Sequence, residues 1–236
     1  MSVQSVHAFA EKVSLVTDAS SSVGRAAALQ LALHGSFVIV GYSKSTLEIQ
    51  RAMEELNSLG TLAAAVEADT STREGAQRLV ENVGERFGRL DLLVNCLKSE
   101  TYSSFEETTD ELFNEAARAH LGSAYFTIQE AMPLMSPRPR PRIVNVVYEG
   151  RSENVLAAAL RESVKELTRS LAKQLPKHFR INAVEVSAAE NVKESGFDPE
   201  LIRPSTGVSP DDAARAILYL LSPEAKAING QSLVVE

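Results

Sequence analysis

The stretch "KVSLVTDASSSVGRAAALQLALHG", Lys12 to Gly35, decides the fold. It runs from a continuous apolar segment through a short polar turn into a helix rich in alanine and leucine. A strand, a tight turn and a helix in that order open a nucleotide-binding βαβ unit. Glycines in such a turn let the backbone approach a diphosphate. The helix N-terminus faces that anion with N–H groups and a partial positive charge. Here Asp18 and Ser22 stand where glycine is expected, and Gly24 is retained. A carboxylate at Asp18 that faced phosphates at ~4 Å would repel them by about 4 kcal/mol at an effective dielectric near 20. The alternative is that Asp18, Ser20 or Ser21 caps the helix, an ordinary task for Asp and Ser. The capping role is the expectation, with the carboxylate partly substituting for the missing phosphate.

Working outward, "SFVIVGY", "LAAAVEA", "LDLLVN", "PRIVNVVY", "RINAVEV" and "QSLVVE" repeat the strand signal. Near-continuous apolar runs of this kind fit strands covered on both faces. Helical stretches separate them. Ser45 with Glu48, Ser71 with Glu74, and Thr108 with Glu111 fit capping boxes. Ser209, Pro210 and Asp212 mark another helix start, and Gly60 a helix stop. Regular alternation predicts an α/β fold: one Rossmann-like domain over residues 1–236, a doubly wound parallel sheet of about seven strands flanked by helices, with right-handed crossovers. "SPRPRPR", Ser136 to Arg142, predicts a stiff, solvated, polyproline-like connector, with a basic docking patch as the alternative.

Composition removes several function classes. The chain has 236 residues and a net charge of −7, which argues against nucleic acid as a main partner. No apolar run approaches the ~20 residues that span a bilayer, so no membrane partner is expected. The first residues, "MSVQSVHAFAEKV", lack a signal pattern, and the single cysteine, Cys96, suits a reducing compartment. A cytoplasmic location is the expectation. His7, His34, His120 and His178 are scattered without metal-ligand spacing, so no metal is expected. An acidic residue at the end of the second strand would hold ribose hydroxyls. That strand ends "VGYSKS" and carries none. Lys44 and Arg25 would instead meet a 2′-phosphate, which favours NADPH if a dinucleotide binds.

Nearly the whole chain resembles the short-chain dehydrogenase/reductase family, including its bacterial 3-oxoacyl-carrier-protein-reductase-like members. The stretches that carry the resemblance are the opening unit, "AVEADTSTREGAQRLVENVGERFGRLDLLVN", "RIVNV", "LTRSLAKQL", "RINAVEV" and "SPDDAARAILYLLSPEAKAINGQSLVV". The departures fall on the family's chemical positions. Its TGxxxGxG turn reads Thr17-Asp18-Ala19-Ser20-Ser21-Ser22-Val23-Gly24, and its NNAG reads Asn95-Cys96-Leu97-Lys98. The catalytic asparagine falls on His120, and the serine on Val147 or, preferably, Tyr148. The YxxxK pair falls on Ala157 and Arg161, and the PG after the sixth strand reads Val186-Ser187. The connections Tyr148–Ala157 and Ser187–Pro210 are short by a few residues against the family. The resemblance implies vestigial catalytic positions at His120, Tyr148, Ala157 and Arg161. It leaves Ser22, Val23, Gly24, Asp69 and Asn95 as weak candidate contacts for a dinucleotide, with NADP bound weakly or not at all.

Two local alternatives stay open. Tyr148 could join Arg161 and His120 as a relocated acid/base cluster. The other reading has Tyr148 filling the emptied pocket while Arg161 pairs with a carboxylate such as Glu149. Cys96 reads as a small buried apolar residue. For the chain as a whole the expectation is a family member that has lost carbonyl reduction and acts as a binding or assembly subunit. The resemblance implies a homodimer or homotetramer through residues 108–135 and 152–175 and the C-terminal strand, with itself or an active relative as partner. The alternatives are an NADPH-dependent oxidoreductase with a non-standard site, or an enzyme of another class that reuses the cleft.

Overall fold

A computed structural model describes residues 8–44, 46–97, 104–149, 154–187 and 208–236, the side chain of Glu149 excepted. Among the described residues the chain forms seven strands and seven α-helices. They are β1 (Val13–Val16), α1 (Ser22–Leu33), β2 (Phe37–Tyr42), α2 (Leu47–Ser58), β3 (Ala63–Glu67), α3 (Arg73–Phe87) and β4 (Leu92–Cys96). Then follow α4 (Asp110–Ala117), α5 (Ser123–Met135), β5 (Arg142–Glu149), α6 (Val155–Gln174), β6 (Arg180–Ser187), α7 (Pro210–Leu221) and β7 (Ser232–Val235).

All seven strands lie in one parallel sheet of order β3-β2-β1-β4-β5-β6-β7. Side chains alternate across a strand, so each strand feeds two cores. Val16, Val38, Val40, Val94, Val144, Val146 and Val184 pack with α1 and α7. Leu15, Ile39, Leu93, Ile143 and Ile181 pack on the other face with Leu79 and Val83 of α3 and Ile128 and Met135 of α5. Strands apolar on both faces can sit only between two helical layers, which is why the apolar runs are continuous. The strand order reverses at β1 and β4. The crevice outside their C-terminal ends is where ligands bind in open α/β sheets.

The helix starts correct the expected caps by one residue. Thr72 caps α3 in place of Ser71, and Thr109 caps α4 in place of Thr108; each side chain accepts the N–H three residues on. Ser45 lies outside the described residues, and Thr46 stands at the N-cap of α2. Ser209 caps α7, with Pro210 at its first position, as expected. Gly60 adopts a positive φ of 68° just past α2. The connector at 136–141 departs from a simple extended segment. It leaves α5 through a turn at Ser136 and Pro137 and bends through Arg138 to Arg140. The chain must double back from α5 to begin β5, and the Arg138 guanidinium holds the bend by donating to Asp91 at 3.1 Å.

Candidate functional site

The turn between β1 and α1 folds as a self-satisfied helix start. The Asp18 carboxylate accepts the Ser20 N–H at 3.0 Å and also the Ser20 hydroxyl. The Ser21 hydroxyl donates to the Asp18 carbonyl at 2.9 Å and accepts the Gly24 N–H at 3.1 Å, which makes Ser21 the N-cap. A Cβ on Gly24 would stand 1.9 Å from the Asp18 carbonyl oxygen. The loop between β3 and α3 repeats this arrangement at the same spacing. Asp69 accepts the Ser71 N–H at 3.1 Å, and Thr72 donates to the Asp69 carbonyl at 3.0 Å and accepts the Gly75 N–H at 3.0 Å. A Cβ on Gly75 would meet the Asp69 carbonyl at 1.9 Å. Asp-x-x-Ser/Thr-x-x-Gly therefore builds both helix starts, and Gly24 is required by its own turn whether or not a phosphate is present. The capping expectation holds, with Ser21 as the cap and Asp18 bracing it.

Asp18 and Asp69 also line one cavity, with Thr17, Ser43, Ala68, Thr70, Ser71, Cys96, Ala119 and Ser123. It measures about 10 Å³, room for about one water. A hydroxyl pair, Thr70 with Ser123 at 2.7 Å, joins the β3–α3 loop to α5 across its wall. Two carboxylates in so small a space make it unfavourable for an anion. The exposed first residue of α1, Ser22, and buried Val23 sit at the helix N-terminus beside it. Arg25 is paired with Glu55 of α2, Nε to Oε2 at 3.2 Å, and so is already engaged; Lys44 is exposed.

Deeper, Asn95 donates to Asn145 at 2.9 Å and Asn145 donates to Thr168 at 2.9 Å. This buried polar chain ties β4, β5 and α6 together. Cys96 is buried, its backbone N–H donating to the Thr17 hydroxyl at 3.0 Å. Burial, reinforced by the Asp18 charge, pushes its thiol well above the usual range, so it stays protonated, as expected of a structural cysteine.

The positions that match the family's catalytic residues separate onto the two faces of the sheet. Tyr148 turns to the α1 face and packs with the apolar cluster there. Its hydroxyl is enclosed beside Ser21, Cys96 and Asp18 and makes no well-formed hydrogen bond. Burial drives its pKa upward, so the phenol is held neutral. Val147 points the other way, toward Leu97, Ala124 and Val164. Arg161 lies on the α6 face and pairs with Glu185 of β6, Nε to Oε1 at 3.1 Å. Lys165, one turn on, reaches the same carboxylate at 2.9 Å.

Of the two open alternatives, the structure agrees with Tyr148 packed among apolar side chains and Arg161 paired with a carboxylate. That carboxylate is Glu185, because strand β6 lies under α6. The cluster of Tyr148 with Arg161 does not assemble, because alternation along β5 sends Tyr148 to the opposite face. His120 occupies a single π-helical turn, Arg118–Gly122, between α4 and α5. Such turns are frequent at functional sites. Burial lowers the His120 pKa. Ala157 sits in the first turn of α6, its N–H bonded to the Asn154 cap at 3.1 Å. Lys98 and residues 188–207, within the short connection Ser187–Pro210, lie outside the described residues. Sequence reading missed Glu185, although one charge inside the apolar run "RINAVEV" was a visible signal of a partnered carboxylate.

The family model described as enoyl-(acyl carrier protein) reductase matches residues 18–236. L-rhamnose 1-dehydrogenase (NAD(P)(+)) of Azotobacter vinelandii is 31% identical over 96% of this chain and 95% of that protein. Among solved structures, a dehydrogenase/reductase from Sinorhizobium meliloti superposes with a TM-score of 0.86 at 25% identity, covering 98% of this chain and 96% of that one. A short-chain dehydrogenase from Burkholderia cenocepacia in complex with NADP shares the fold at a TM-score of 0.85 and 24% identity, covering 99% of this chain and 98% of that one.

Proposed function

The chain belongs to the short-chain dehydrogenase/reductase family of oxidoreductases, and on that premise we propose that it has lost standard NAD(P)H-dependent carbonyl reduction and acts as a binding or assembly subunit. The observation that carries this reading is the β1–α1 turn, closed on Asp18 by the same hydrogen bonds as the β3–α3 loop. A dinucleotide diphosphate does not fit the residues present. The Asp18 carboxylate is engaged by Ser20 within the turn and lines the neighbouring water-sized cavity, and the Tyr148 hydroxyl lies against Ser21. NADP would supply hydride transfer if it bound, donating as NADPH and accepting as NADP⁺, and the positions left to meet it are Ser22, Val23, Gly24, Asp69 and Asn95.

The chemistry agrees. Ala157 has no proton to give, and a general acid is worth roughly 10²–10⁴ in rate. Arg161 keeps a cation at the lysine position, but Glu185 holds it. The assembly role rests on exposed apolar side chains: Phe113 on α4, Tyr125 on α5, Val155 on α6, and Leu233 and Val234 on the edge strand β7. A homodimer or homotetramer, or a complex with an active relative, would cover them. One observation favours the second reading, an NADPH-dependent oxidoreductase with a non-standard site: His120, at the asparagine position, lies on a π-helical turn, and such turns are frequent at functional sites.

Titration calorimetry of the full chain with NADPH and NADH tests the proposal, with a carbonyl panel assayed on the same sample. No micromolar binding and no turnover are expected, and either one overturns the inactive reading. The variant Asp18→Gly with Ser22→Gly separates two causes. NADPH binding gained there means that only the cradle was lost, and none means a rebuilt pocket. Sedimentation of that sample reads the assembly role, which a monomer at micromolar concentration would contradict.

A further inference from the structure

At the end of the sheet opposite the cleft, cations gather in a chain whose net charge is −7. Arg142 begins β5 and Arg180 begins β6, and the two are register partners. Register partners on neighbouring parallel strands point to the same face. Like charges placed side by side in this way destabilise a sheet unless something offsets them.

The two guanidiniums are treated differently by their surroundings. Arg180 donates to the backbone carbonyls of Lys226 at 2.8 Å, Lys177 at 2.7 Å and Phe179 at 2.6 Å. These acceptors take three of its five hydrogens without neutralising its charge. Arg142 is 5% exposed, and its Nη1 is enclosed with no hydrogen-bond partner. It forms no ion pair with a carboxylate among the described residues. Arg140 adds a third positive charge beside it, and exposed Glu224 is the acidic group that it feels. An arginine stays protonated even when buried, so the cost of Arg142 cannot be relieved by proton loss. A buried polar group without a partner calls for an explanation. What this arrangement lacks is an acceptor with negative charge and several oxygens, placed between guanidinium forks.

We propose that Arg140, Arg142 and Arg180 form a binding site for a phosphate-class oxyanion at the N-terminal edge of β5 and β6. The proline-alternating connector carries exposed Arg140 two residues before buried Arg142 and close enough for the charges to act on each other, which gives "PRPRPR" a task that a solvated linker would not have. The site is remote from the cleft, so it stands or falls independently of the activity of this chain. The oxyanion is either the free ion or the end of a small phosphomonoester.

Thermal unfolding and ³¹P NMR titration of the full chain with inorganic phosphate test this, against sodium chloride at matched ionic strength. The melting temperature should rise with phosphate and hold steady with chloride. Arg140→Gln removes an exposed charge without disturbing the core and should weaken phosphate binding about tenfold, the loss expected for one charge-assisted hydrogen bond. Arg142→Gln should abolish it. Should that buried variant fail to fold, Arg140→Gln alone decides. Phenyl phosphate binding more tightly than phosphate identifies a monoester as the source, and equal or weaker binding identifies the free ion. Equal melting in phosphate and chloride, or an Arg140→Gln variant that binds phosphate as the parent does, overturns the proposal.

Discussion

At the residue scale, Gly24 shows how one position can mislead when read for function alone. Its missing side chain makes room for the Asp18 carbonyl, 1.9 Å from where a Cβ would stand. Gly24→Ala therefore forces backbone apart, and it should cost about 1–3 kcal/mol by the usual penalty of overpacking. Gly84 is the opposite case. It lies inside α3, and a Cβ there would meet Leu134 at 3.5 Å, an ordinary contact. Gly84→Ala should stabilise by up to about 1 kcal/mol, because alanine loses less backbone freedom in a helix. Urea denaturation of the two variants checks the opposite signs. A neutral Gly24→Ala would mean that the turn is looser than its hydrogen bonds imply.

At the element scale, the caps decide where helices begin, and the one-residue shifts have measurable consequences. The Thr72 hydroxyl accepts the Gly75 N–H, whereas Ser71 contributes its backbone N–H to Asp69. Thr72→Ala should lower stability by about 1 kcal/mol. Ser71→Ala should stay within about 0.5 kcal/mol, because the bond that half-buried Ser71 gives Asp69 comes from its backbone. The reverse order would restore the box at Ser71 and Glu74. The β1–α1 turn belongs to the same scale. Its likeness to the β3–α3 loop explains how a cofactor turn can lose glycines while the helix behind it stays in place.

At the scale of the whole molecule, Asp91 pins the start of β4 to its neighbours. Its side chain is 3% exposed and meets Arg89 at 2.7 Å, Arg138 at 3.1 Å and Lys12 at 3.7 Å, and it accepts the Val13 N–H at 3.1 Å. Burial alone would raise its pKa, but the Val13 hydrogen bond and the cations outweigh burial and hold it below the usual carboxylate range. A depressed folded pKa stabilises above the unfolded value of about 3.9, and that contribution disappears as pH falls through the folded value. Asp91→Asn should thus cost about 3 kcal/mol at neutral pH, near the low end for breaking a buried pair. The gap between variant and parent should narrow below about pH 4. Urea midpoints at neutral and acidic pH measure it, and a gap unchanged with pH would place the stabilisation elsewhere.

The sequence by itself determined the strands, their order along the chain and the family, because apolar runs and helix-start residues act locally and repeat along the whole length. Other features depended on which strands and helices became neighbours. Glu185 meets Arg161 because β6 runs beneath α6, Arg142 meets Arg180 because β5 and β6 start in register, and Tyr148 parts from Arg161 because side chains alternate about β5. These pairings join residues distant in the chain, and no local pattern encodes them. Only packing of the sheet between its two helical layers decides which charges share a face.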